Sequence, residues 1–358
     1  MKTVFVGLSG GVDSSVSAAL LKQQGYKVVG VYMKNWSKDL PGMPCPWQED
    51  YQDAKRVAVQ LGIDFKMYDF QKDYQQKVVD YMLDGFKAGI TPNPDIMCNQ
   101  EIKFKLFLDT ALADGADMIA TGHYASTKNG QLLTAKDANK DQTYFLYRVS
   151  AKALVKTILP LGDLTKTEVR NLAKEFGLVT AAKKESMGIC FVGKVGIKDF
   201  LKQYVSEKPG PIIDQNGKQI GQHDGAIFYT IGQRHGLEVG GGLPFYVTGK
   251  NMKKNEVYVT TDLQDEKLWN NQITLTSAHW INIEPTVKDK LMVRTRHRAK
   301  LIPVKILNPI RTSSRSNGAG KSGHWLAELG EEVRALTPGQ SAVFYSGSEC
   351  IGGGIVSS

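Results

Sequence analysis

No run in the 358 residues approaches 18 consecutive apolar side chains, so no membrane-spanning helix and no membrane partner is expected. Cysteine is scarce. The four present, Cys45, Cys98, Cys190 and Cys350, lie far apart and form no C-x-x-C pair. That spacing argues against a zinc or iron–sulfur site, so no metal-binding residues are expected, and it excludes a small disulfide-stapled secreted fold. Met1-Lys2-Thr3 runs straight into apolar sequence, which leaves no room for a signal or transit segment and gives a cytoplasmic expectation. Internal repeats and low-complexity tracts are missing, as are the G-x-x-x-x-G-K-[ST] and G-x-G-x-x-G fingerprints. Gly318-Ala319-Gly320-Lys321-Ser322 imitates the tail of the first of these. Arg315 stands where its leading glycine belongs, and no strand runs into a helix there, so the segment reads as a basic loop tip.

What is present is a globular composition, 42% hydrophobic and 23% charged, long enough for two or three domains. The organising stretch is 3–22. Apolar Thr3–Leu8 breaks at Ser9-Gly10-Gly11-Val12-Asp13-Ser14-Ser15 and resumes as amphipathic Val16–Lys22, which reads as strand, tight loop and helix. Adjacent glycines admit a ligand close to the backbone, Ser14 or Ser15 is placed to cap the helix, and its unpaired N–H groups cradle an anion. Further strands are expected at Lys27–Met33, Asp64–Phe70 and Met118–Thr121, alternating with helices at Gln48–Leu61, 71–88, Gln100–Ala113 and Leu161–Gly177, the last carrying a Thr165-x-x-Glu168 capping box. Alternation of this kind indicates a doubly wound parallel α/β sheet with ligands at the carboxyl ends of its strands. Turn-rich β sequence begins near 205, and a second change near 272 introduces short alternating strands typical of a small β-barrel. The expected domains are 1–204, 205–271 and 272–358.

Charge is concentrated. The chain's formal excess is +9, and the stretch from Lys288 to His324 holds ten Lys or Arg residues against one acid, Asp289. Such a footprint suits a polyanion. In Arg294-Thr295-Arg296-His297-Arg298-Ala299-Lys300 the cations recur at period two, so a strand would set them on one face. Two cysteines also stand out. Cys98 follows Thr91-Pro92-Asn93-Pro94-Asp95, where two prolines forbid helix and force an extended, stiff loop, and precedes a helix whose dipole would favour its thiolate. Cys190 lies shortly after Lys183 and Lys184. Cys45 and Cys350 read as buried hydrophobes.

The loop resembles the pyrophosphate-binding loop of adenylating ATP pyrophosphatases, which leaves a citrulline, a carboxylate or a nucleobase open as the group activated. The whole set of stretches is more specific: Gly7–Ser15, Pro92–Asp95 with Cys98-Asn99, Ala120–Tyr124, Lys140–Leu146, Gly188–Phe191, Tyr229–Arg234, Thr337–Ala342 and Gly352–Gly354. In this order they resemble the tRNA-specific 2-thiouridylases along nearly the full length. The resemblance implies an adenine-nucleotide-hydrolase-like catalytic domain at 1–204, a central, mainly β domain at 205–271 that contacts tRNA, and a basic, tRNA-binding β-barrel at 272–358. It implies ATP, with Mg2+, held by Gly7, Leu8, Ser9, Gly10, Gly11, Val12, Asp13 and Ser14, with Met33 and Gly122 near the adenosine. The tRNA would meet Asn93, Pro94 and Asp95 at the wobble uridine, and His123, Lys140, Asp141, Gln142, Arg296, His297 and Gln340 elsewhere. Asp95 would assist proton transfer, and a persulfide on Cys190, charged by a sulfur-donor protein, would act with Cys98 as second thiol. The sequence departs from the family at His297, where tyrosine is usual, at Gln100, where lysine is commoner, and in a longer basic segment at 311–324.

Overall fold

The computed structural model describes residues 1–39, 45–184, 196–240, 242–310 and 324–357, apart from the side chains of 308–310. The first strands are β1 (Thr3–Gly7), β2 (Lys27–Lys34), β3 (Asp64–Asp69), β4 (Met118–Ala120), β5 (Ser126–Lys128), β6 (Gln131–Leu133) and β7 (Thr157–Ile158). Five of them form a parallel sheet in the order β3-β2-β1-β4-β7, with β1 central and Val4 in register with Val28 and Met118. Both faces are covered, which is why β1 is an unbroken apolar run. Val4 and Val6 share a cluster with Ala18, Leu21, Ala54 and Val57 from α1 (Val12–Gln23) and α2 (Trp47–Leu61). Phe5 joins Ile102, Phe107 and Ile119 on the other side. Each such side chain, fully buried, contributes about 1.5–3 kcal/mol.

The helical run expected at 71–88 forms in three pieces, Gln71–Tyr74, a π-helical turn Gln75–Val79, and Asp80–Lys87. Gly85 does not interrupt it: a Cβ there would lie 2.8 Å from Cγ of Pro92, so glycine lets the proline-rich segment pack against the helix. The later helix spans Lys166–Glu175, with the Thr165–Glu168 capping box formed, and starts at this cap rather than at Leu161.

A second sheet, β8 (Gly210–Ile213), β9 (Gln219–His223), β10 (Tyr246–Asn251) and β11 (Glu256–Thr260), has the order β10-β11-β8-β9. It contains a lysine without a carboxylate partner among the described residues: Lys250 Nζ donates to the Tyr229 carbonyl at 2.8 Å, and burial pulls its pKa down to about 8. Between about pH 8 and 10.5 the unfolded chain therefore holds a proton that the folded one has released, so stability rises with pH across that window. Lys250→Met is expected to flatten the rise; melting temperatures of both proteins at pH 8 and pH 10 measure it.

The remaining strands are β12 (Trp269–Trp280), β13 (Leu291–Arg294), β14 (Ile302–Ile310), β15 (His324–Arg334), β16 (Ser341–Ser346) and β17 (Glu349–Val356). They pair antiparallel in the order β12-β15-β14-β13-β16-β17, and β12 pairs with β17 to close a barrel. Its interior is apolar, with Ile273, Leu275, Val293, Trp325 and Phe344 buried together. The β5–β6 hairpin, which comes from the N-terminal part of the chain, hydrogen-bonds onto β17, with Leu132 opposite Cys350. Among the described residues no helix is long and apolar enough to cross a membrane.

Candidate active site

At the carboxyl end of β1 the chain turns into α1 through Ser9-Gly10-Gly11. Gly10 has φ +75°, and a Cβ there would lie 2.4 Å from the Asp50 carbonyl oxygen, so the turn requires glycine twice over. The serines do not cap the helix as expected. Gly11 is the N-cap without a side-chain bond, and both Ser14 Oγ and Ser15 Oγ donate back to its carbonyl at 3.1 and 2.8 Å. Ser9 N donates to Ser14 Oγ at 3.1 Å, which ties the loop to the helix. The first-turn N–H groups of α1, which no helix can satisfy internally, are left facing the loop. Gly122 backs this turn, because a Cβ there would come within 2.7 Å of Ser14 N. Met33 packs beneath it, 3.0 Å from where a Cβ on Gly7 would stand, and Leu8 is buried in the core.

The loop opens on a cavity of about 280 Å³ lined by Ser9, Gly11, Val12, Asp13, Tyr124, Lys140, Gln142, Lys184, His297 and Arg298. Residues expected to hold nucleotide thus share one space with the expected RNA contacts Lys140, Gln142 and His297, and His297 and Arg298 reach it from the barrel. Asp13 is held by Tyr124 Oη, which donates to Oδ1 at 2.8 Å, and by Lys166 Nζ at 2.7 and 2.8 Å. Gln142 Oε1 accepts from Tyr124 N at 2.9 Å. His297 packs its ring 4.5 Å from that of Phe145, and burial, with Arg298 and Arg294 nearby, lowers its pKa. The two rings are tilted by 46°. Sequence reasoning missed Lys166 and Arg298 as parts of the site. Lys166 carried no signal, since it arrives from a helix 153 positions away from Asp13.

The second group of expected residues lies on another helix. Asn93 caps it, its Oδ1 accepting from Asp95 N at 3.1 Å and Ile96 N at 3.4 Å. Helix begins at Pro94 rather than Gln100: Pro94–Met97 is its first turn, Cys98–Leu106 is π-helical and Phe107–Ala113 completes it. Pro94 starts the helix instead of forbidding it, because the N1 position needs no N–H. Cys98 therefore sits a full turn inside the helix and is 3% exposed, where help from the dipole is weaker than at the first residue. Burial raises the Asp95 pKa, and Lys103 opposes the shift. Asn99 Nδ2 donates to the Phe145 carbonyl at 3.0 Å, joining the cysteine's helix to the ring that supports His297. His123 is buried, with Nδ1 2.7 Å from Thr121 Oγ1, and desolvation holds its pKa well below the usual value. Cys190 lies outside the described residues, as do the Gly188–Phe191 stretch, the basic positions 311–323 and the Walker-like 318–322.

Other expected contacts are engaged within the protein. Asp141 is buried, its Oδ2 accepting from Thr143 Oγ1 at 2.8 Å and Arg294 Nη1 at 3.1 Å. Gln340 Nε2 donates to the Thr91 carbonyl at 2.8 Å, and Thr91 N donates to the Pro338 carbonyl at 2.8 Å, so the barrel grips the segment leading to Asn93. The basic run is not a strand beyond Arg294, and its cations do not share a face. Arg296 Nη2 donates to the Ala335 carbonyl, Lys300 pairs with Glu331, and Arg298 has the left-handed φ of +64°. Cys350 is buried against the Thr143 carbonyl with its thiol pushed far up by desolvation, which fits an inert hydrophobe.

Family models cover the chain in three segments, described as a tRNA methyl transferase HUP domain (residues 2–194), a tRNA methyl transferase PRC-barrel domain (198–261) and an aminomethyltransferase beta-barrel domain (270–356). A protein of Bacillus subtilis named tRNA-specific 2-thiouridylase MnmA is 45% identical over 99% of this chain and 94% of its own length. One of the same name from Bacillus velezensis is 46% identical over the same shares. A solved 4-thiouridine synthetase–RNA complex with bound ATP matches 56% of this chain and 50% of its own at 20% identity and a TM-score of 0.38, too low to carry an argument. With three consecutive family segments and relatives of this identity over nearly its whole length, the chain belongs to the tRNA-specific 2-thiouridylase family.

Proposed function

We propose that the protein replaces the C2 oxygen of a tRNA wobble uridine by sulfur at the expense of ATP. The observation that carries this reading is the single cavity in which the Ser9–Asp13 loop meets Lys140, Gln142 and the barrel residues His297 and Arg298. An adenylating loop needs its acceptor close by, and a basic domain that reaches the loop supplies a surface for RNA backbone.

A uridine C2 oxygen is a poor leaving group. Attack by that oxygen on the α-phosphorus of ATP forms a C2–O–P bond and expels pyrophosphate. The first-turn amides of α1 and the Ser9 hydroxyl face the charge that leaves. The terminal sulfur of a Cys190 persulfide then bonds to C2, and AMP departs with the former C2 oxygen. Cys98 thiolate attacks Cys190 Sγ, the electron pair of the broken S–S bond forms the thiocarbonyl, and a Cys98–Cys190 disulfide remains for an external thiol to reduce. Asp95, half-buried and with a raised pKa on the same helix turn as Cys98, would move a proton at the base. The target base must leave its stack to reach these groups. Asp13 is the one carboxylate among the residues lining the cavity, so Mg2+ arriving with ATP would be held chiefly by phosphate oxygens.

Incubating the protein with unmodified tRNA, ATP and a persulfide donor, then analysing digested nucleosides by mass spectrometry, tests the reading. Formation of 2-thiouridine, AMP and pyrophosphate in equal amounts is expected. Adenylation of a small amine or carboxylate indifferent to tRNA would replace this reading with a ligase.

A further inference from the structure

We propose that Arg298, a barrel residue, completes the polyphosphate site of the loop, so that the pyrophosphate leaving group is held from two domains. The inference rests on the reading above for its reaction, but its structural basis is separate. The cavity lined by Ser9, Gly11 and Val12 is also lined by Lys184 and Arg298, and neither cation has an ion pair or hydrogen bond from its charged group among the described residues. The one lining carboxylate, Asp13, is already neutralised by Lys166. Among the described residues the space is therefore left with uncompensated positive charge beside the start of a 12-residue helix, where an anion is favoured.

The backbone supplies an independent sign. Arg298 is one of few non-glycine residues with positive φ, at +64°, in the tight turn closed by the Ala299 N to Arg296 carbonyl bond of 3.1 Å. A side chain that accepts this conformation costs stability that glycine would recover, and such outliers gather at ligand clamps. The neighbouring cations of the run have been drawn elsewhere: Arg294 into its pair with Asp141, Arg296 onto Ala335 and Lys300 onto Glu331. Arg298 alone of these faces the loop. A guanidinium is suited to the task because its fork binds two phosphate oxygens at once.

The full-length protein, without tRNA, is titrated calorimetrically with inorganic pyrophosphate and with ATP. Arg298→Ala is expected to weaken both by about tenfold, the loss of one charge-assisted contact, and Arg298→Lys to recover part of it. Arg298→Gly should weaken them as much while its melting temperature stays level or rises, which separates ligand loss from unfolding. Affinity for tRNA, measured by filter binding, should change less than about threefold. Unchanged pyrophosphate affinity in Arg298→Ala overturns the inference. If tRNA affinity falls instead, with a salt dependence shallower by about one unit, the guanidinium serves an RNA phosphate and the inference is equally overturned. Wild-type protein that binds pyrophosphate through Arg298 yet makes no 2-thiouridine leaves this site standing and removes the reaction.

Discussion

Cys98→Ser is expected to lower 2-thiouridine formation on the order of 10³-fold or more, because a hydroxyl neither breaks nor forms the required disulfide. The two cysteines should fail differently. Without Cys98 the C2–S–S–Cys190 adduct has no resolving thiol, so this variant should accumulate a covalent tRNA–protein species, visible on a denaturing gel and released by dithiothreitol. Cys190→Ser should give neither product nor adduct. Wild-type thiolation in either variant would sink the paired-thiol mechanism. The position of Cys98, a turn inside its helix and 3% exposed, adds a condition. It should react slowly with a bulky alkylating reagent in the free protein, and the rate should change when tRNA and ATP are present.

The second large effect concerns stability. Asp141→Ala is expected to destabilise the protein by about 3–5 kcal/mol, the usual cost of stripping one partner from a buried ion pair. Its carboxylate receives Ala135 N, Thr143 Oγ1 and the half-buried Arg294, so removal strips the guanidinium of its carboxylate and the Ala135 amide of its acceptor, and leaves Thr143 Oγ1 only the Tyr345 hydroxyl. A tRNA contact predicts something else: weaker RNA binding with unchanged melting. Thermal denaturation beside filter binding decides between them, and Asp141→Asn, which keeps one acceptor, should fall between wild type and alanine in melting temperature.

The contrast between those two residues shows what could be read in advance. Cys98 stands in a short local pattern, and the role proposed for it is suggested by its neighbours. The same holds for the parallel sheet, whose apolar runs and glycine-broken loop are local, and for the Thr165–Glu168 box, which formed as read. Asp141 lies in an equally local pattern, but its partner is 153 positions away on β13, and nothing near it announces burial. The basic run misled for a related reason. Alternation at period two fits a strand, yet tertiary partners recruited Arg294, Arg296 and Lys300 one by one, and the chain left the strand after Arg294. Pro94 misled differently, since a proline that ends one helix starts another as readily, and only Asn93 in the cap position tells which. The meeting of barrel and loop in one cavity had no local sign at all.

The hairpin that crosses from the first half of the chain onto β17 also sets an order of events during synthesis. Gln131 and Glu349, joined by a hydrogen bond, are 218 positions apart. At roughly 5–20 residues per second, a ribosome needs on the order of 10–40 s to deliver the second after the first. For that interval β6 has an open edge, and Leu132 waits for Cys350. The half of the molecule that is made first is thus not finished until the last strand of the barrel arrives.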